Sequence, residues 1–254
     1  LHPKPCNNLN NNHAQLLDIY HEVDRLKEIK KSFIGSGVRY DLAMHKCGDK
    51  NIEQINHQYI EELIRFHVSG RLKVAPEHTN EVVLNLMRKP SFNLFRQFNE
   101  LFNTINNRYG LNQQLIPYFI SSHPGCTQMA MAELAVETKR LNFHLEQVQD
   151  FTPTPMTVST ETYYCGVHPY TLQPIITAKN KDEKLAQRKY FFWYDNQYKR
   201  DIFNSLSKMG RTDLIAQLYP HGIGEINKYY NAQPNRNKKD NSNKRFNKKN
   251  RNKK

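Results

Sequence analysis

Nowhere in this 254-residue chain does an apolar run approach the roughly 20 residues needed to span a bilayer, which predicts a soluble protein. The start, Leu1-His2-Pro3-Lys4-Pro5-Cys6, lacks the basic, apolar and small-residue succession of a signal peptide, and there is no initiator methionine. A chain opening in a Pro- and Cys-containing loop reads as a fragment. Cysteine is scarce: Cys6, Cys47, Cys126 and Cys165 lie 41, 79 and 39 residues apart, spacings that match no zinc or redox motif. Four cysteines in a chain this long do not make a disulfide scaffold and point to a reducing, cytoplasmic setting.

What is present is enough apolar material, 38%, for one sizeable core with an appendage. The net charge of +13 is unevenly placed. Residues 231–254 hold ten Lys/Arg and one acid, Asp240, so they carry +9 of it. Their apolar content is Phe246 and Ala232, too little burial to offset the entropy of ordering, and the segment is expected to be a disordered basic tail. Such a block either solubilises the chain or contacts RNA through phosphates. The rest of the chain is only mildly basic, so the overall charge does not define a nucleic-acid-binding protein.

From residue 13 onward, two kinds of segment alternate. Helical spacing relates Leu16, Tyr20, Val23, Leu26 and Ile29, then Ile52, Ile55, Tyr59, Leu63 and Ile64, then Phe92, Phe95, Phe98, Phe102 and Ile105, then Met131, Leu134, Ala135 and Leu141. Ser91 is placed to cap the third of these helices and Gly110 to end it. A short extra helix fits Glu81–Met87. Strand-like runs lie at 31–35, 72–75, 115–120 and 147–151. Strands alternating with helices at this spacing predict an α/β fold with a parallel sheet, either open or part of a barrel. Pro117 inside a strand argues for a local bulge or an unpaired amide.

In such folds ligands bind at the C-terminal ends of the strands. The segments expected there are Gly35-Ser36-Gly37-Val38-Arg39, Glu77-His78-Thr79, Ser121-Ser122-His123-Pro124-Gly125 and Phe151-Thr152-Pro153-Thr154-Pro155. Arg39 suits a carboxylate or phosphate, and Glu77 an amine or a ribose diol; His78 and His123 can donate or accept. One reading is a metal-dependent hydrolase with His78, His123 and Glu77 as ligands. Against it, no two of these lie at i, i+4 on a helix. The other is an organic-cofactor site in which Arg and Glu anchor a zwitterion and a ribose.

The stretches FIGSGVRYDLA, LKVAPEHTNEVVLNLMRKP, LIPYFISSHPGCT and QVQDFTPTPMTVSTETYY closely resemble the YgiQ-type radical S-adenosylmethionine (SAM) proteins, from Leu1 to about Tyr170 and more weakly through 181–217. The resemblance implies the last four strands of a six-stranded parallel (β/α) barrel. It makes residues 1–12 the end of a cysteine-containing insertion, with Cys6 its final cysteine, and 13–170 the partial barrel. It implies a radical SAM enzyme with S-adenosylmethionine and a [4Fe-4S] cluster as cofactors and an unknown substrate. The CxxxCxxC ligands of the cluster and the glycine-rich element that holds the SAM amino group are not in this sequence, so the chain alone is expected to be inactive. By the same resemblance Ser36, Arg39, Glu77 and His78 lie beside the SAM carboxylate and ribose, and Ser121 and His123 near the adenine. Residues 147–154 would close the mouth.

Residues 171–230 are expected to form a helical C-terminal extension, charged and helical over 181–219 with Leu185, Ile202, Leu206, Leu214 and Leu218 among its apolar residues. The run Tyr190-Phe191-Phe192-Trp193-Tyr194 is expected to bury itself. The contrasting function is an RNA-binding protein in which this run and the basic tail engage the nucleic acid.

Overall fold

The computed structural model describes residue 6, residues 8–222, and residues 224 and 226. The basic tail therefore lies outside the described residues, as does most of the segment before Asn8. The chain divides into two compact units between Phe192 and Trp193.

The first unit is mixed α/β. In chain order it comprises α1 (Ala14–Asp24), α2 (Tyr40–Ala43), α3 (Lys50–Phe66), β1 (Arg71–Glu77), α4 (Glu81–Leu86), α5 (Phe92–Tyr109), β2 (Gln114–Ser121), α6 (Gln128–Arg140), β3 (Gln147–Asp150), α7 (Val158–Cys165), α8 (Lys181–Arg188) and a 3₁₀ turn (Lys189–Phe192). The strands form one parallel sheet in the order β1-β2-β3. Leu72 pairs with Leu115, Val74 with Pro117, and Phe119 with Val148. Proline in the central strand has its cost in the ladder: the register slips between Val74 and Glu77, just past the Val74–Pro117 pair.

The helices form where the apolar period and the caps agree. The α5 side chains Phe92, Phe95, Phe98, Phe102 and Ile105 are all buried; the Ser91 hydroxyl accepts from the Asn93 amide, and Gly110, at φ 61°, ends the helix. Asp49 caps α3 by accepting from the Asn51 and Ile52 amides, and Thr127 caps α6 through the Ala130 amide. Phe119 of β2 is fully buried with its ring 6.2 Å from that of Phe92, which joins sheet to helix at the centre of the core.

Two expectations are corrected. The first helix stops at Asp24, before Leu26 and Ile29, which sit exposed in turns; the period continues in the sequence with nothing to pack against. Residues 31–35 are not a strand. Phe33 is half exposed and the Ile34 amide donates to the His67 carbonyl, so this run spends its backbone on a helix end. The chain meets β1 later, in a single parallel bridge between Val38 and Val74. The four-strand expectation thus becomes three strands with one bridge on the edge of β1.

The second unit contains α9 (Asn196–Lys208) and α10 (Thr212–Leu218), packed through Ile202, Leu206, Leu214 and Leu218. The Tyr219 hydroxyl donates to the Trp193 carbonyl at 3.0 Å. No described helix is long and apolar enough to cross a membrane. Replacing Phe119 with Ala is expected to remove about 3–5 kcal/mol of stability in urea unfolding. A loss below about 1 kcal/mol would contradict its central place.

Candidate functional site

β1 ends in a tight reversal. The His78 amide donates to the Pro76 carbonyl, and Glu77 takes φ 68°, an unfavourable backbone for a residue with a side chain. The conformation turns the Glu77 carboxylate inward. Its Oε1 lies 3.1 Å from Lys89 Nζ, and its Oε2 is buried with no hydrogen-bond partner in the protein. Beside it, Arg39 donates from Nε and Nη2 to the two oxygens of Asp41 at 2.8 and 2.6 Å. Burial opposes the charge on Asp41, but the bond with Arg39 prevails and holds the carboxyl below its usual range. Burial, with the neighbouring Asp41 and Glu77, pushes the Tyr40 phenol up. Ser36 is exposed on the same loop, which runs close against β1: a Cβ on Gly37 would lie 3.3 Å from the Lys73 carbonyl oxygen. The cleft between residues 38–41, Ala75 and Lys89–Pro90 holds only about 20 Å³, so anything larger than a water must lie across its opening.

The loop after β2 is buried rather than open. The Ser121 hydroxyl donates to Asp150 at 2.5 Å, and Asp150 also meets Arg188 at 3.3 Å. Ser122 has φ 61°, and its amide donates to Gln187 Oε1 at 2.8 Å; Gln187 Nε2 donates to the Cys126 carbonyl at 2.8 Å. One glutamine amide on α8 thereby closes the loop from Ser122 to Cys126. The Ser122 hydroxyl is buried without a protein partner. His123 places Nδ1 2.9 Å from the Pro124 carbonyl and Nε2 3.0 Å from the Ser159 hydroxyl. With Nδ1–H donating to the carbonyl, Nε2 accepts from Ser159. Burial lowers the His123 imidazole to about 4.

His78 is fully buried behind this loop. The Asn80 amide donates to its Nδ1 at 3.0 Å, which makes Nε2 the protonated nitrogen, 3.5 Å from Cys126 Sγ. Burial, with His123 nearby, lowers His78 to about 3, and burial raises the Cys126 thiol to about 12.

The structure therefore sorts the residues singled out from the sequence into two groups. Arg39 and Glu77 stand towards the end of β1, with Glu77 aimed inward and Arg39 largely exposed, whereas Ser36 is exposed on the loop beside the first half of the strand, where its neighbour Gly37 lies against Lys73. His78, Ser121 and His123 are buried supports of the loop after β2. The ring nitrogens of both histidines are engaged, so Glu77, His78 and His123 do not form the ligand set of a hydrolase; among the described residues no three of His, Cys, Asp and Glu gather as a metal site. Lys89, Asp150, Ser159 and Gln187 were not singled out. Gln187 carries no local signal, because its partners lie 61 and 65 residues away. The aromatic run is buried at Tyr190 and Phe191, against α6, and at Trp193 in the second unit, so these rings are not a stacking platform.

Residues 146–254 match a family described as a domain of unknown function, DUF3362. Over 219 residues the chain is 61% identical to a UPF0313 protein of Bacteroides thetaiotaomicron, a match covering 86% of this chain and 35% of that protein. A UPF0313 protein of Porphyromonas gingivalis is 58% identical over 86% of this chain and 34% of its own length. A UPF0313 protein of Methanocella arvoryzae is 42% identical over 85% and 34%. The chain thus spans about a third of the length of the curated relatives it matches.

Gln187→Ala would leave the Ser122 amide and the Cys126 carbonyl buried without their partner, and is expected to cost about 1–3 kcal/mol in urea unfolding. Both buried histidines bind protons more weakly folded than unfolded, so the unfolded chain takes up more protons below the ordinary histidine value of 6.5. Stability should fall as pH drops from 6.5 towards 4; flat stability across that window would contradict their burial. Cys126 should resist iodoacetamide at pH 8 in the native chain while the exposed Cys47 and Cys165 react.

Proposed function

Since the chain belongs to the UPF0313 family, the YgiQ-type proteins, we propose that it is part of a radical SAM enzyme whose strand-end loops hold S-adenosylmethionine. The observation that carries this reading is Glu77. A carboxylate turned inward by a positive φ, with one oxygen tied to Lys89 and the other unpartnered, suits a ligand that brings hydrogen-bond donors, such as a ribose diol or an ammonium. Arg39 has five N–H groups, and Asp41 takes two of them, so a carboxylate can still be bound at its other edge.

The sheet supports the same reading. On one face Leu72, Val74, Pro117 and Phe119 are buried, whereas on the other Ile116 is buried, Lys73 and Gln149 are exposed and Ala75, Tyr118 and Ile120 are half-buried. Tyr118 and Gln149 hydrogen-bond across that open face. A sheet covered on one side suits a portion of a (β/α) barrel better than a doubly wound sheet, whose two faces are both covered. In this arrangement Ser36, Arg39 and Glu77 bind SAM, while His78, Ser121 and His123 hold the adjoining loop in place.

The described cysteines do not fit a [4Fe-4S] cluster: Cys6, Cys47 and Cys165 are exposed, Cys126 is buried on His78, and no three are gathered. Its ligands are assigned to the part of the relatives' length that this chain does not span. Residues outside this chain would have to hold such a cluster, which would supply the reducing chemistry that the residues of this chain do not provide. A cytoplasmic setting agrees with the free thiols.

A polypeptide of the relatives' full length, reconstituted anaerobically with iron and sulfide and then reduced, is expected to release 5′-deoxyadenosine from SAM. Glu77→Gln should weaken SAM retention about tenfold, the loss of one charge-assisted hydrogen bond. No 5′-deoxyadenosine from the reconstituted protein would contradict the reading.

A further inference from the structure

Beside the candidate site, residues 166–176 form a small hairpin that neither the helical period nor the strand pattern indicated. Val167 bridges Pro174 in antiparallel fashion, the His168 amide donates to the Gln173 carbonyl, and the Ile175 amide donates to the Gly166 carbonyl. Two contacts tie it to the C-terminal end of the sheet. The Gly125 amide, in the loop after β2, donates to the Ile176 carbonyl at 2.8 Å. The Arg88 guanidinium lies 5.2 Å from the centre of the Tyr170 ring, and Arg88 directly precedes Lys89, the partner of Glu77. The hairpin therefore stands at the rim of the proposed SAM site.

Its surface is unusual in composition. Tyr170 is 67% exposed and Tyr164, on α7, 64% exposed. The Tyr170 ring meets the Arg88 guanidinium at 5.2 Å and the tilted His168 ring at 5.8 Å, and most of its surface remains in solvent. Tyr164 stands perpendicular to Tyr163 at 5.3 Å, and the Lys184 ammonium lies 5.4 Å from the Tyr163 ring. Lys179 donates to the Tyr164 carbonyl at 2.8 Å. Glu183, the nearby acid on α8, is taken up in capping that helix, which leaves Glu161 and Asp182 as the acids on these elements. Exposed aromatic rings interleaved with cations fit flat, negatively charged chains: bases stack on the rings and phosphates meet the cations.

We propose that this surface binds single-stranded nucleic acid, with bases stacked on Tyr164 and Tyr170 and phosphates held by Arg88, Lys179 and Lys184. As the substrate class of the neighbouring site, this rests on the SAM reading; as a binding surface, it does not. The charge of the sequence agrees with it, since residues 231–254 add +9 of sequence-independent attraction. That segment can also bind nucleic acid unaided, so the test must separate stacking from charge.

The full chain, without SAM or iron, is titrated into fluorescein-labelled oligouridylate of about 12 nucleotides and into the matching deoxy oligomer, at several salt concentrations, by anisotropy. Tyr164→Ala/Tyr170→Ala is expected to weaken binding at least tenfold at fixed salt without changing the salt slope. Tyr164→Phe/Tyr170→Phe should keep wild-type affinity, and Arg88→Gln should lower the slope by about 0.7. Tighter binding of one oligomer identifies RNA or DNA as the partner. Where the alanine variant melts early, the phenylalanine and Arg88 variants decide: loss of binding with phenylalanine, or an unchanged slope with Arg88→Gln, overturns the proposal. So does no binding by the wild-type chain, or equal affinity of the alanine variant, which would leave the charged segment alone responsible. A variant that keeps its affinity but shifts the chain from self-associated to monomeric would assign the surface to protein contact instead. Because neither SAM nor cluster is present, failure here leaves the Glu77 reading to its own test.

Discussion

The Gln187 side chain accepts from the Ser122 amide and donates to the Cys126 carbonyl, and the end of the sheet depends on those two bonds. Ser122 sits at a φ that costs a residue with a side chain roughly 1 kcal/mol or more, and a loop carrying such strain persists only when its surroundings hold it. Here a buried glutamine, the Ser121–Asp150 bond and the His123–Ser159 bond do so. Gly125 is held as tightly: a Cβ there would lie 2.3 Å from Leu86 Cδ1, and the residue needs φ 83°. The loop is braced from α4, α7 and α8 at once. Its polar groups face inward as supports, and the groups free to meet a ligand stand on the neighbouring strand end.

That division explains the electrostatics. Desolvation lowers His78 and His123 and raises Cys126, so all three are neutral at physiological pH and compatible with a packed loop. Charge is kept to the rim, where Arg39 meets Asp41 and Lys89 meets Glu77. At this rim Glu77 combines an ionisable side chain, inward aim and an unpartnered oxygen, and it is therefore the residue on which a bound molecule would register most strongly.

Much of this was legible in the sequence, and the failures have physical reasons. The phenylalanines of α5 repeat at helical spacing between a serine cap and a glycine stop, and the structure places both ends there. β1 and β2 contain their expected runs, and the slip beside Pro117 follows from a missing amide. Residues 31–35 looked like a strand because two apolar residues precede glycine, but so short a run could not outbid the bond from Ile34 to the end of α3. The extension of α1 to Ile29 failed because periodicity records a face, not a partner for it. The strand-end loops were singled out from the sequence, yet the inward turn of His78 and the reach of Gln187 are decided by packing across the chain, which no local pattern records.

The central claim is that the loops at 35–41, 77–79 and 121–126 form one ligand-binding edge. Amide hydrogen exchange on a polypeptide of the relatives' full length, with and without S-adenosylmethionine, tests it most directly. Slowed exchange concentrated in those three loops, with the opposite end of the sheet unchanged, is the result this account predicts. Protection confined to other parts of the chain, with these loops exchanging as before, would contradict it.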